Sequence, residues 1–79
     1  METPKPGEKY MHFKGKPYII IAIANDCETP EKKLVIYKQL YGSEDFPLGT
    51  VWSRPLENFL GDKEFEDGKK VKRFILITK

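Results

Sequence analysis

The chain holds one cysteine, Cys27, which excludes an internal disulfide, so cohesion must come from the core and a reducing, cytoplasmic setting is expected. It holds one histidine, His12, and with a lone cysteine that leaves no paired ligand spacing for a zinc site. There is no glycine-rich phosphate loop and no nucleophile elbow. Long apolar runs are missing as well. The longest, "YIIIAIA", falls far short of a membrane span, and the opening "METPKPGEKY" lacks the apolar segment of a secretion signal. No metal, cofactor or membrane partner is therefore expected. Charge of one sign is also scarce: 14 Lys and Arg against 12 Asp and Glu give a net +2, too balanced for bulk electrostatics to imply a polyanion partner.

What is present is enough for one small globule. At 79 residues a second core would have nothing left to bury, and 39% hydrophobic with 33% charged residues fits a compact domain with a charged surface. Residues 1–7, "METPKPG", have two prolines, a glycine and nothing to bury, and read as a flexible arm ahead of a single domain over 8–79.

"EKYMHF" reads as a first strand, broken by the turn "KGKP". "YIIIAIA", apolar at every position and β-branched, reads as a strand covered on both faces. Strict alternation would set Ile19, Ile21 and Ile23 against Tyr18, Ile20 and Ala22. "LVIYKQLY" and "TVWS" follow as strands, separated by the loop "GSEDFPLG", whose Phe46 and Leu48 are placed to fold back as a partial lid. Pro55 suits the first position of a helical turn carrying Leu56, Phe59 and Leu60 at helical spacing, with Gly61 ending it. Asp67-Gly68 is a hairpin signal, and "VKRFILIT" reads as that hairpin's second arm. So little helix cannot cover a flat sheet. The expectation is a mostly β fold: a small SH3-like or partly open antiparallel barrel of five to six strands with one short helical turn near 55–60. A strongly bent sheet packed on that helix is the alternative.

Three segments, "YMHFKGKPY", "LVIYKQLYG" and "WSRPLENF", in that order and followed by "ED-GK" and a basic-aromatic strand, resemble a family of small stand-alone bacterial domains of unknown function. The resemblance implies a compact mostly-β fold in a prokaryotic cytoplasmic protein, and no established activity.

His12 lies on one face of the first strand with Tyr10, and its pKa suits a donor or acceptor in a pocket. Cys27 sits between Asp26 and Glu28, a setting opposed to a thiolate nucleophile. No catalytic residue set is read. Trp52 and Arg54 share a strand face, so an indole beside a guanidinium, with Tyr41 as an adjacent wall, would hold a planar or anionic group at the barrel mouth. The competing reading makes Trp52 a core anchor and pairs Arg54 with Glu57. His12, Tyr41, Trp52 and Arg54 thus define a non-catalytic recognition site for a small ligand or short peptide. The alternative is single-stranded nucleic acid along Lys69, Lys70, Lys72 and Arg73, with Phe74 for stacking. A homo-oligomer formed through an exposed strand edge is compatible with both.

Overall fold

The computed structural model describes residues 3–78. In chain order its elements are β1 (Lys9–His12), β2 (Pro17–Asn25), β3 (Lys33–Gln39), β4 (Val51–Pro55), α1 (Leu56–Phe59), β5 (Asp62–Glu64), β6 (Lys70–Lys72) and β7 (Phe74–Thr78). Five strands form one antiparallel sheet in the order β4-β3-β2-β1-β7, and β5 pairs with β6 as a separate hairpin. The mostly-β class and the helical turn after Pro55 match the sequence reading. The strands among the described residues number seven, and the sheet does not close.

Turn chemistry explains the connections. Gly15 adopts φ 85°, open to glycine without penalty, and its N–H reaches the His12 carbonyl at 2.7 Å to close the β1–β2 hairpin. Gly68, at φ 88°, does the same for β5–β6, where the Asp67 carboxylate accepts the Lys69 N–H at 3.0 Å. Pro55 lacks an N–H and starts α1, whose turn points Phe59 into the core.

One sheet face carries the core: Tyr10, Ile20, Val35, Tyr37 and Phe74, joined by Phe59 from α1. Phe59 and Phe74 stack with ring centres 4.1 Å apart, while Tyr10 and Tyr37 meet Phe59 edge-on at 5.2 and 5.5 Å. β4 and β7 are opposite edges of this sheet. Four strand spacings would part them by about 19 Å if it were flat, farther than an arginine and a phenylalanine reach together. Yet the Arg54 guanidinium carbon lies 5.8 Å from the Phe74 ring centre, so the sheet curls around its front face and stops short of a barrel.

Three expectations are corrected, and the contacts of residues 4–7 are added to the reading of the opening segment. Register shifts between Ile20 and Ala22, so Ile21 is an extra residue, and Ile20 and Ile23 both face the core opposite Tyr37 and Val35; strict alternation fails there. β2 is not covered on both faces either: α1, the one helix of the described residues, is spent on the front, and Ile21, Val51 and Ile75 are exposed. The arm proposed over 1–7 begins with two residues outside the described ones, but Pro4 is fully buried, Lys5 N–H donates to the Glu8 carboxylate, and Gly7 N–H donates to Ile20 O. Finally, "VKRFILIT" is two strands. The chain leaves the hairpin at Arg73, and β7 pairs with β1 instead of β5.

A candidate anion-binding cluster

The pairing of β3 with β4 sets Tyr37 opposite Trp52 and Val35 opposite Arg54, so the indole and the guanidinium share the front face. They are employed differently. The Trp52 indole N–H donates to the Gln39 side-chain oxygen at 2.9 Å, and the Phe46 ring meets the indole edge-on at 4.7 Å. Gln39 is fully buried and its amide nitrogen also donates to the carbonyls of Tyr41, Phe46 and Pro47 at 2.9 to 3.3 Å. This one amide fastens the loop after β3 onto the sheet and spends the polar edge of Trp52. Of the two residues expected to fold back as a partial lid, Phe46 touches the Trp52 ring yet remains exposed, and Leu48 is exposed.

Arg54 donates from Nε to the Tyr37 hydroxyl at 3.1 Å and lies over the Phe74 ring. Glu57 does not pair with it: no carboxylate bridges Arg54 or Arg73 among the described residues, and the terminal nitrogens of Arg54 have no hydrogen-bond partner there. A guanidinium on an aromatic face with its fork unspent is a ready anion receptor.

His12 packs against Phe13, Phe74 and Tyr18, with ring centres at 4.3, 5.0 and 6.4 Å. Its Nδ1 accepts the Lys14 N–H at 3.3 Å, which leaves Nε2 to carry the proton of the neutral ring. Burial holds its pKa below the usual 6.5, helped by the positive charges of Arg54, Lys14 and Arg73. A depressed folded pKa means that the unfolded chain takes up the proton first. Stability is therefore full above pH 6.5 and falls as the pH drops through the folded value. His12→Gln is expected to flatten this slope in urea titrations between pH 7 and 5; an unchanged slope would assign it to other groups.

Tyr41 joins the cluster through Tyr18. Their hydroxyls are 2.5 Å apart, their rings meet edge-on at 5.5 Å, and the Lys16 ammonium lies 5.2 Å from the Tyr41 ring centre. Burial raises the Tyr18 pKa, as do its hydrogen bond with Tyr41 and the proximity of Tyr41 and Tyr37. The Tyr18 hydroxyl therefore stays protonated. Tyr18 touches the rings of His12, Tyr37, Tyr41 and Phe74 and is the hinge pin of the group.

Of the four residues read as a ligand site, His12, Arg54 and Tyr41 thus border one aromatic cluster, while Trp52 stands beside it as scaffold. Tyr18, Tyr37, Gln39 and Lys16 were missed. The signal for the two tyrosines was there, since cross-strand pairing with the front-face rows selects them. The basic hairpin is diluted: Glu64 sits opposite Lys70 and Asp62 opposite Lys72. Arg73 keeps one backbone bond to it, N–H to Gly61 O at 3.1 Å, while its carbonyl turns to Phe13; its Nε is buried and unpartnered among the described residues and its charge is felt at His12. Cys27 is exposed in the β2–β3 loop, and no cluster of three potential metal ligands occurs among the described residues. No helix there is long and apolar enough to cross a membrane.

Two surface clefts lie elsewhere. One of about 470 Å³ has Leu56 and Leu60 as its apolar floor and Lys32, Lys33, Glu31 and Glu57 around it. The other, about 240 Å³, runs between β7 and α1.

A curled, incompletely closed antiparallel sheet with a cationic aromatic face is the class of molecule these features define. The chain belongs to the DUF1653 family, described as a protein of unknown function, whose profile matches residues 8–76. No curated protein and no solved structure matches it.

Proposed function

We propose that the chain is a non-catalytic recognition domain that holds an anionic group, on a small planar ligand or a short peptide, against Arg54, His12 and Tyr41. The Arg54 fork would grip the anion, the half-buried rings of Tyr18 and Tyr41 would receive a planar body with buried Tyr37 and Phe74 as its backing, and Lys14, Lys16 and Arg73 supply a positive field. Trp52 acts behind this surface, holding the loop through Gln39. The observation that carries the reading is an arginine seated over the Phe74 ring and bonded to the Tyr37 hydroxyl, with no carboxylate to neutralise it among the described residues.

NMR titration with benzoate, phenyl phosphate and adenosine monophosphate tests it. At least one is expected to give saturable shifts at the Arg54 Nε–H and at His12, and bound anion should raise the His12 pKa. Arg54→Gln is expected to weaken binding at least tenfold, since a charged hydrogen bond contributes about 1.5–3 kcal/mol. Identical titrations of the two proteins, or no saturation with any of the three, would defeat the proposal.

A further inference from the structure

We infer that the outer edge of β7 is a docking strand for an extended peptide of a partner protein, one with an apolar centre and acidic ends. This goes beyond the Arg54 cluster and does not depend on it. The phase of the backbone hydrogen bonds comes first. In the β1–β7 register Met11 faces Ile75 and His12 faces Phe74, and the next pair, Phe13 with Arg73, is bonded through Phe13 N–H to Arg73 O at 2.9 Å. Antiparallel pairs alternate between bonded and non-bonded, so Ile75 turns its N–H and C=O toward β1 while Phe74 and Leu76 turn theirs away. β1 agrees: the His12 N–H goes the other way, to Lys16 O at 2.8 Å. Phe74 and Leu76 thus present main-chain groups with no partner among the described residues.

The other edge is guarded and this one is not. On β4 the same alternation, phased by Gln39 N–H to Thr50 O, turns Val51, Ser53 and Pro55 outward, and Pro55 has no N–H to offer. β7 has neither proline nor charge from Phe74 to Thr78, and its register irregularity falls beyond Leu76. Along it runs the second cleft, lined by Tyr10, Phe59, Leu60, Phe74, Ile75 and Leu76 with the charged Lys72 beside them, with room for an apolar side chain of an added strand. Ile75, Leu76 and Ile77 are exposed.

Charge selects the occupant. Arg73 precedes β7 and Lys9 lies opposite Thr78 at its far end, with Lys72 set against Asp62 across the β5–β6 hairpin, whereas the Glu8 carboxylate is buried and bound to Lys5 N–H and Tyr10 Oη. A second copy docked antiparallel would set its Arg73 end beside the Lys9 end, cation against cation. A nucleic acid has no backbone ladder to match. An acidic-ended peptide satisfies both the hydrogen bonds and the field.

The probe is the synthetic peptide acetyl-Asp-Glu-Val-Leu-Val-Glu-Asp-amide, added to the isotopically labelled full chain. Hydrogen exchange at the Phe74 and Leu76 N–H is expected to slow at least tenfold, with methyl shifts at Leu60 and Leu76 and no change at the Ile75 N–H. Binding should be lost on N-methylation of the central leucine, weaken at least tenfold when the acidic ends become lysines, and persist in Arg54→Gln. The inference is overturned if the peptide fails to bind at millimolar concentration, or binds without slowing exchange at Phe74 and Leu76. It also falls if the lysine-ended peptide or an oligothymidylate protects them equally, or if sedimentation shows a dimer that protects them without peptide. Shifts confined to His12 and Arg54 would sink it while leaving the anion site standing.

Discussion

Phe59→Ala is expected to destabilise the domain by about 3–5 kcal/mol, the range for deleting a buried aromatic ring. Total stabilities of about 5–15 kcal/mol are typical, and a small domain sits toward the lower end, so little would remain. The ring is 1% exposed and packs at once on Phe74, Tyr10 and Tyr37. Phe74 belongs to one edge strand of the sheet and Tyr37 to the neighbour of the other, so the vacated volume opens where the two sides of the curl meet. Urea unfolding followed by Trp52 fluorescence checks it. With a slope of about 1 kcal/mol per molar for a chain this size, the midpoint should move by about 3 M or more, or the variant should be unfolded without urea. A shift under 1 M would mean that α1 decorates the core and does not hold it.

Gln39→Leu is the second large effect, expected at about 2–4 kcal/mol although it exchanges a polar for an apolar side chain of similar size in a buried position. The Trp52 N–H loses its acceptor, at about 1–3 kcal/mol for an orphaned buried donor, and three loop carbonyls lose their shared amide. The indole N–H resonance should shift and exchange faster, and Ser43–Thr50 should become protease-sensitive. Gln39→Glu gives a sharper version. Its carboxylate would face the same carbonyls, which raises its folded pKa, so this variant should gain stability as the pH falls through that value. A Gln39→Leu protein as stable as the parent would show that the loop is held by its backbone bonds and by Phe46 on Trp52, without the side-chain amide.

Much of the scaffold is legible from local chemistry. Pro55 followed by Leu56, Phe59 and Leu60 announces the helical turn, Asp67-Gly68 the hairpin, and the two-residue period puts Trp52 and Arg54 on one face. What escapes is long-range. An extra residue at Ile21 leaves no local mark, because every residue around it is apolar and either phase looks acceptable. The break at Arg73 is invisible for a similar reason: "VKRFILIT" alternates throughout, and only the competition between β5 and β1 as partners divides it. Gln39 reads as a surface residue beside Lys38, and its buried role depends on carbonyls supplied by a loop several residues later. The cluster was half legible. Arg54 and His12 were named from their chemistry, but the ring system that carries them draws on β1, β2, β3 and β7 together.

The pairing of β1 with β7 joins the first of the described strands to the last, with Met11 opposite Ile75. Such a contact demands that the whole intervening segment be gathered before it returns any free energy, a topology that slows folding. During synthesis the β1–β2 hairpin would emerge early and wait with one flank unmatched until Phe74 clears the ribosome. Removing the last strand would leave that flank, with the aromatic core behind it, open to aggregation.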